Sequence, residues 1–284
     1  THFHVLIGGR RSIKEISMST FYNSERLKYN QMNYNNDVEL DNFCSQCLLV
    51  INAVGPSFKI NDKIALHALR NNCHYIDIGG YGILRDLLKP YEKSIEAQKL
   101  CFIIGVGWMP GISGVFSKTI IETHLNSPEN TNFNIYYGAV DNWSYSSTYD
   151  LAASSMGKTR SYVYSHGKEI QVSPFRYTHH KFFPFIGHKK ICMPSFDEQL
   201  TQLATSLKQI RKISTFIMLN DYISMGKFMF IKIFYKHNLN KATLMLQDDY
   251  QRLVKKENKW GSVICQVSKI EPERKIDTFY YLYT

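Results

Sequence analysis

The sequence predicts an α/β domain with a parallel sheet, followed by an α+β domain built on a mixed sheet. Up to about residue 125, short apolar segments alternate with segments of helical periodicity, a pattern typical of parallel sheets covered by helices on both faces. The composition then changes at 126–132, where Asn, Ser and Pro are frequent. Beyond that point, segments rich in Tyr and Phe alternate in strand fashion. We therefore predict domains at 1–128 and 129–284.

Each element is predicted from its periodicity and from the turn residues that follow it. In the first domain, strands are predicted for HVLIGG (4–9), CLLVINAVG (47–55), HYIDIGG (74–80) and CFIIGVG (101–107). The short segment 37–40 is predicted as a further strand, and helices are predicted at 12–28, 61–73, 84–100 and 111–125. In the second domain, strands are predicted at 132–140, 159–173 and 260–270, and helices at 195–210 and 239–257.

Composition limits the classes of partner. The 34 basic residues outnumber the 24 acidic ones, for a net charge of +10, which favours an anionic partner. No block of five or six basic residues occurs, so a solvated surface with one phosphate site is favoured over a nucleic-acid interface. The longest apolar stretch, 214–234, is interrupted by Asn220, Asp221 and two lysines. We predict neither a nucleic-acid nor a membrane partner.

The six cysteines lie mostly within apolar segments, which favours buried thiols in a reducing compartment over a disulfide framework. The segment that begins at Thr1 lacks the charged and apolar regions of a signal peptide, so a cytoplasmic protein is predicted. Cys44 and Cys47 form a single CxxC with neither a second pair nor a histidine at ligand spacing. No metal site is predicted.

The first glycine turn carries two arginines. In doubly wound sheets, ligands bind at the carboxyl ends of the strands, so the turns that follow the strands are the candidate site. About 40 residues separate Gly9 from the apolar strand 47–55, which is too few for two helix-strand units and a further helix, so 4–9 is interpreted as strand two. There, Arg10 and Arg11 could pair with the 2′-phosphate of NADP. The alternative is a surface turn with two exposed arginines.

The later turns offer small and polar residues. The turn at 52–56 would let a flat ligand approach the backbone, with the Asn52 amide bonding to ribose or nicotinamide; a tight turn without a ligand would have the same sequence. The Asp77 carboxylate could bind a substrate amine or cap its own turn, and capping is favoured. Pro110 and Gly111 begin a helix whose first N–H groups suit a carboxamide or carboxylate.

The order of these motifs resembles the saccharopine dehydrogenase-like family of Rossmann oxidoreductases. The stretches that carry the resemblance are LIGGRR (6–11), VINAVGP (50–56), HYIDIGG (74–80) and GVGWMPGISG (105–114). The resemblance implies a Rossmann-type sheet that is N-terminally incomplete, because the family's G-x-G-x-x-G strand would precede Thr1 by about 30 residues. The last strand likewise stops where relatives continue into a closing helix.

The resemblance also implies NAD(P)-linked chemistry on an amine or imine of a small metabolite, with NADP favoured and NAD the alternative. The second domain would bind substrate or form a homodimer. The resemblance assigns cofactor binding to ten residues of the strand-end turns: Gly9, Arg10, Arg11, Asn52, Ala53, Val54, Gly55, Pro56, Pro110 and Gly111. It assigns the substrate to Asp77, Trp108 and Met109. Met109 replaces an acidic residue that many amino-acid-using relatives carry, and Trp108 favours a flatter, more apolar ligand wall.

The proton donor is not identified by any motif. Candidates are Tyr75, Tyr81, His166, His179 and His180, each more often structural than catalytic in a chain with 19 tyrosines and ten histidines. The alternative function is therefore a catalytically silent Rossmann-like binding module that lacks the pyrophosphate loop.

Overall fold

The computed structural model describes residues 3–17, 25–80, 82–125, 128–156, 161–196 and 198–283. The chain divides into two compact units, Thr1–Val106 and Gly107–Thr284. The predicted boundary after residue 128 falls inside the second unit. Helix Ile112–His124 belongs to that unit because its buried Ile120 and Ile121 pack into the unit's largest apolar cluster.

The first unit contains two parallel sheets. The first pairs β1 (Val5–Gly9) with β2 (Leu27–Gln31), and the second has the order β3 (Leu49–Asn52), β4 (His74–Asp77), β5 (Phe102–Ile104). The helices are α1 (Ile13–Ser17), α2 (Asp37–Cys44), α3 (Ser57–Ile60), α4 (Lys63–Arg70), α5 (Gly82–Leu88) and α6 (Glu92–Ala97).

The pairing matches a doubly wound sheet in which one position is open. In the strand order 3-2-1-4-5-6 of dinucleotide-binding sheets, β2 and β1 take positions three and two, and β3, β4 and β5 take positions four to six. Position one lies between β1 and β3, and neither strand has a partner on that side among the described residues. The apolar side chains Val5, Ile7, Leu49 and Ile51 of these two strands are exposed. The predicted α/β class with an incomplete Rossmann-type sheet is confirmed.

The prediction of a strand at 37–40 is wrong, because these residues form the start of helix α2. The strand in this part of the chain is β2, and its first two residues lie in the helix predicted at 12–28. Asn36 caps the helix, since its Oδ1 accepts from the N–H groups of Val38 and Glu39 and its Nδ2 donates to the Glu39 carboxylate at 2.7 Å. This Asn-x-x-Glu pattern at a helix start outweighs the apolar alternation that follows it.

The CxxC cysteines pack in the core of the first unit, with Cys44 fully buried and Cys47 partly buried. Cys73 is fully buried and its Sγ donates to the carbonyl oxygens of Cys44 and Cys47. Burial raises the pKa of Cys44 to about 12, so the thiol stays protonated. Helix α4 packs Ile64 and Ala68 into the same cluster. Among the described residues, no group of His, Cys, Asp and Glu is arranged to hold a metal ion.

The second unit is an α+β domain on an eight-stranded mixed sheet, as predicted. Its strands are β6 (Thr131–Val140), β7 (Ser161–Ser165), β8 (Lys168–Val172), β9 (His179–Phe183), β10 (His188–Pro194), β11 (Lys212–Leu219), β12 (Trp260–Ile270) and β13 (Lys275–Tyr283). Its helices are α7 (Ile112–His124), α8 (Tyr145–Met156), α9 (Pro174–Tyr177), α10 (Glu198–Ser206), α11 (Tyr222–Phe234) and α12 (Leu239–Val254).

The sheet path is β13-β12-β6-β11-β10-β9, in which β11 runs parallel to β6 and the other neighbours are antiparallel. Helices α7 and α10 share the main core cluster with this sheet, while α8, α11 and α12 form a separate cluster around Phe228, Ala242 and Leu246. Within the described ranges, every helix is too short or too polar to cross a bilayer.

Candidate functional site

A buried polar cluster joins the carboxyl ends of β3 and β4. Asn52 and Asp77 are the last residues of these strands and face each other in register. The Asn52 amide donates to Asp77 Oδ2 at 2.7 Å and to Tyr75 Oη at 3.1 Å, and the Tyr75 hydroxyl donates to the same Oδ2 at 2.5 Å. All three side chains are buried. One carboxylate oxygen therefore ties two adjacent strands together.

The same cluster shapes the turns that follow the strands. Asp77 Oδ1 accepts the Gly80 N–H at 2.6 Å, and Asn52 Oδ1 accepts the Val54 N–H at 3.0 Å. The Asp77 carbonyl oxygen accepts the Val106 N–H just after β5. Asp77 thus caps its own turn, the alternative that the sequence favoured. The Asn52 amide donates to groups within the unit, whereas the sequence predicted that it would bond to ribose or nicotinamide.

Tyr75 is held as a neutral phenol. Burial raises its pKa, and the adjacent Asp77 carboxylate raises it further. Its proton lies on the bond to Asp77, and none of its surface is exposed. As a candidate proton donor, this residue serves the internal cluster and does not face solvent.

The turn after β1 presents two exposed cations. Gln31 donates to the Arg10 carbonyl oxygen at 3.3 Å, and the Tyr29 hydroxyl donates to the Arg11 carbonyl oxygen at 2.7 Å, so β2 fixes the backbone of the turn. Neither guanidinium lies within ion-pairing distance of a carboxylate among the described residues. Gly9 lies against Tyr29, where a Cβ would come 2.9 Å from the hydroxyl oxygen. The close contact with Tyr29 accounts for a glycine at position 9, whereas no salt bridge among the described residues accounts for the two arginines.

The turn after β3 has an exposed side and a buried side. Ala53 and Val54 are exposed, whereas Gly55 and Pro56 are half-buried. Beside this turn is a small depression, whose lining residues are Asn52, Ser57, Phe58, Ile60, Asn61, Asp77, Gly80, Ile83 and Leu84. The exposed side offers an apolar surface at the carboxyl edge of the sheet.

The turn before α7 belongs to the second unit and is internally bonded. Trp108 and Met109 pack against that unit's main core cluster. The Gly111 N–H donates to Gln199 Oε1 at 2.8 Å, and the N–H groups of the next two residues donate to backbone carbonyls of the turn. The N–H groups that the sequence assigned to a carboxamide or carboxylate, after Pro110, are thus already paired. Gln199 was missed because no local motif marks it.

The three candidate histidines lie in the second unit, one on a turn and two on β9. Tyr81 lies outside the described residues. His166 is exposed on the turn between β7 and β8. On β9, His179 packs edge-on against Tyr136, and His180 Nε2 lies 2.9 Å from the hydroxyl of Tyr222. The two β9 histidines thus make aromatic contacts within the second unit.

No protein-family model matches the sequence, and no curated protein matches it significantly. Among solved structures, the chain is similar to an engineered D-amino acid dehydrogenase bound to NADP+, with a TM-score of 0.42, 7% identity and coverage of 100% of this chain and 83% of that chain. It is similar to the C. glutamicum DAP dehydrogenase in complex with DAP, with a TM-score of 0.42, 8% identity and coverage of 100% and 83%.

A further similar structure is biliverdin reductase from Synechocystis sp. PCC 6803, in complex with biliverdin and NADP+, with a TM-score of 0.38, 9% identity and coverage of 98% of this chain and 84% of that chain. At these scores and identities the similarity assigns neither a family nor an activity. The chain is an α/β protein with an incomplete Rossmann-type parallel sheet and a second, mixed-sheet α+β unit.

Proposed function

We propose that the chain is an NADP-dependent oxidoreductase that acts on a C–N bond of a small amine or imine, or on a related bond. The observation that carries this proposal is the pair Arg10 and Arg11, both exposed at the carboxyl end of the strand in position two. Among the described residues neither forms a salt bridge, and the one carboxylate whose charge acts on Arg11 is that of exposed Glu15. An arginine at this point of a doubly wound sheet is suited to the 2′-phosphate that distinguishes NADP from NAD.

Two further observations fit the same ligand. The turn after β3 keeps Ala53 and Val54 exposed at strand position four, next to position one, where the strand order reverses and dinucleotides bind. The bonds from Asn52 and Asp77 fix this edge before any ligand arrives, so little conformational entropy is lost on binding. When bound, NADP would supply or accept the hydride.

The chain's own residues would then hold and orient the cofactor. Arg10 and Arg11 would bind the 2′-phosphate, and the apolar side of the 53–56 turn would support the nicotinamide half. The residues that the sequence also assigned, Pro110 and Gly111 to the cofactor and Trp108 and Met109 to the substrate, belong to the second unit, and the proposal does not depend on them. Asp77 would act by positioning the β3 and β4 turns, since its carboxylate is already occupied.

A catalytically silent Rossmann-like binding or interaction module that lacks the pyrophosphate loop is the second candidate. The burial of the Tyr75 hydroxyl and its bond to Asp77 favour it, because they remove one candidate proton donor from the reaction. The enzyme must bind and consume NADPH, whereas the silent module consumes none.

The test measures binding of NADPH and NADH to the full-length protein by thermal shift and titration. NADPH should raise the Tm more than NADH does. In R10S/R11S the affinity for NADPH should fall at least about tenfold, because charge-assisted bonds to the 2′-phosphate contribute about 1.5–3 kcal/mol each, while NADH affinity should not change. Arg26→Ser is the matched control, since Arg26 is exposed at the opposite, amino end of β2.

A larger Tm increase with NADH than with NADPH would show that the arginines do not select the phosphate. No shift with either nucleotide would reject the enzyme and favour the silent module. If NADPH binds, its oxidation in the presence of keto acids with ammonia, or of preformed imines, separates the enzyme from the silent module.

A further inference from the structure

The outer face of α11 is apolar and uncovered. Its inner residues Ser224, Phe228 and Ile231 are buried against the second unit. On the opposite side, five large apolar residues are 40–64% exposed: Tyr222, Ile223, Phe230, Ile233 and Phe234. Gly226, between them, has no neighbour within 4 Å of an added Cβ. The face is therefore continuous and open over the whole length of the helix.

A helix that is apolar on both sides belongs in a buried environment. Aromatic side chains bury about 150–250 Å² each, so three of them at this exposure, with two isoleucines, leave on the order of 500 Å² of apolar surface in contact with water. Contiguous patches of this size on soluble proteins mark interaction surfaces. Something is expected to cover this face.

The charges around the helix indicate the kind of partner. Between Tyr222 and Gln247 the chain carries four lysines and no acidic residue. Lys227 is paired with Asp248 and Asp249 on α12, and burial lowers the pKa of Lys232 beside the ring of Phe228. Lys236 is exposed two residues after α11, and Lys241 is exposed in the first turn of α12, with its Nζ over the ring of Tyr235. The segment that follows the apolar face thus carries exposed positive charge.

A second copy of the chain would not match this charge. In a symmetric contact through α11, the lysines beyond its C-terminal end would meet either each other or the start of the partner helix, where the Asp221 carboxylate is already paired with Arg252. A surface of anionic lipids offers both an apolar layer and negative charge, the combination that in-plane amphipathic helices recognise. A helix of 13 residues is about 20 Å long, shorter than a bilayer core, so it would lie in the interface and would not cross it.

We propose that α11 docks in the plane of a membrane surface that contains anionic phospholipids. Phe230, Ile233 and Phe234 would enter the boundary between headgroups and acyl chains, and Lys236 and Lys241 would contact the headgroup phosphates. The sequence predicted no membrane partner because no segment can span a bilayer, and in-plane docking needs no such segment.

The test is flotation of the full chain with vesicles of phosphatidylcholine alone, or of phosphatidylcholine and phosphatidylserine in equal amounts. The protein should float with the mixed vesicles and much less with phosphatidylcholine alone, and added salt should reduce the bound fraction. The I233E/F234E variant should bind the mixed vesicles at least about tenfold more weakly, because two apolar side chains no longer enter the membrane boundary and two carboxylates face anionic headgroups.

A second variant leaves the apolar face intact. K236Q/K241Q should lose about fivefold in binding to mixed vesicles for each lysine and should be unchanged on phosphatidylcholine. Phe175→Glu is the matched control, since Phe175 is 74% exposed on α9 of the same unit, and it should bind like the parent protein. Circular dichroism establishes that the variants are folded.

Three results would overturn the proposal. The first is a parent protein that does not float with the mixed vesicles. The second is loss of binding in Phe175→Glu as large as in I233E/F234E. The third is a parent protein that is dimeric and does not float, together with an I233E/F234E variant that is monomeric. That outcome would assign the apolar face to a second copy of the chain.

Discussion

Replacing Asp77 by Ala should destabilise the first unit by about 2–5 kcal/mol. The substitution removes the acceptor for the Tyr75 hydroxyl and for the Gly80 N–H, and leaves the Asn52 amide with Tyr75 Oη as its one remaining partner. A buried donor without a partner costs about 1–3 kcal/mol, so two orphaned donors and one weakened donor give this range. Tyr75→Phe should lower the free energy of unfolding by only about 1 kcal/mol. It removes one donor to the Asp77 carboxylate, which keeps the Asn52 amide and the Gly80 N–H.

The assay must report on the first unit by itself. All three tryptophans lie in Gly107–Thr284, so tryptophan fluorescence follows the second unit. Hydrogen exchange of peptides from β3 and β4, measured across a urea series, reports the opening free energy of the first unit. Asp86→Ala is the control, because the Asp86 side chain is 70% exposed and should change that free energy by less than about 0.5 kcal/mol.

The reasoning fails if Asp77→Ala changes the opening free energy of β3 and β4 by less than about 1 kcal/mol. It fails also if Tyr75→Phe is as costly as Asp77→Ala, since the carboxylate would then not be the group that collects the donors. A shift in the tryptophan transition of the second unit would mean that the substitution acts beyond the cluster described.

The remaining stability predictions concern one position in each unit. Gly79→Ala should destabilise the first unit by about 1–3 kcal/mol, because the added Cβ would overlap the Ser57 side chain; urea unfolding followed by circular dichroism measures it. Burial alone would raise the pKa of Asp221, but bonds from Arg252 and from the Ser224 N–H outweigh it and hold the pKa at about 2. Since the unfolded pKa is about 3.9, this stabilisation, about 1–2 kcal/mol after solvent screening, is present above about pH 4 and is lost as the pH falls toward 2. In Asp221→Asn, the free energy of unfolding measured with urea should no longer show this decrease between about pH 4 and 2. The same decrease in the variant as in the parent protein would contradict the assignment to Asp221.

Periodicity and turn residues located much of the parallel sheet. The apolar runs that end at Gly9, Asn52 and Asp77 form strands, because an apolar run stopped by glycine or asparagine permits few other conformations. The segment 37–40 was mistaken for a strand since its alternation holds for only four residues, while the cap signal at Asn36 was overlooked. A short alternation is weak evidence beside a helix cap.

The sequence marked Asn52, Tyr75 and Asp77 as candidates, but not the contacts that these residues make with one another. Asp77 was correctly favoured as a capping residue, because a carboxylate close to following N–H groups satisfies them locally. The use of the Asn52 amide by Asp77 could not be foreseen, since it depends on the register between two strands 25 residues apart. The bond from Gln199 to Gly111 joins residues 88 apart, and no local pattern marks such a pair.

The open edges of β1 and β3 have a consequence for how the chain behaves in concentrated solution. Each edge presents unpaired backbone groups beside exposed Val5 and Ile7, or Leu49 and Ile51, among the described residues. Such an edge is a template for any extended peptide, including another copy of the same strand. These two edges should therefore promote self-association through strand addition, and a peptide that pairs with β1 or β3 should suppress it.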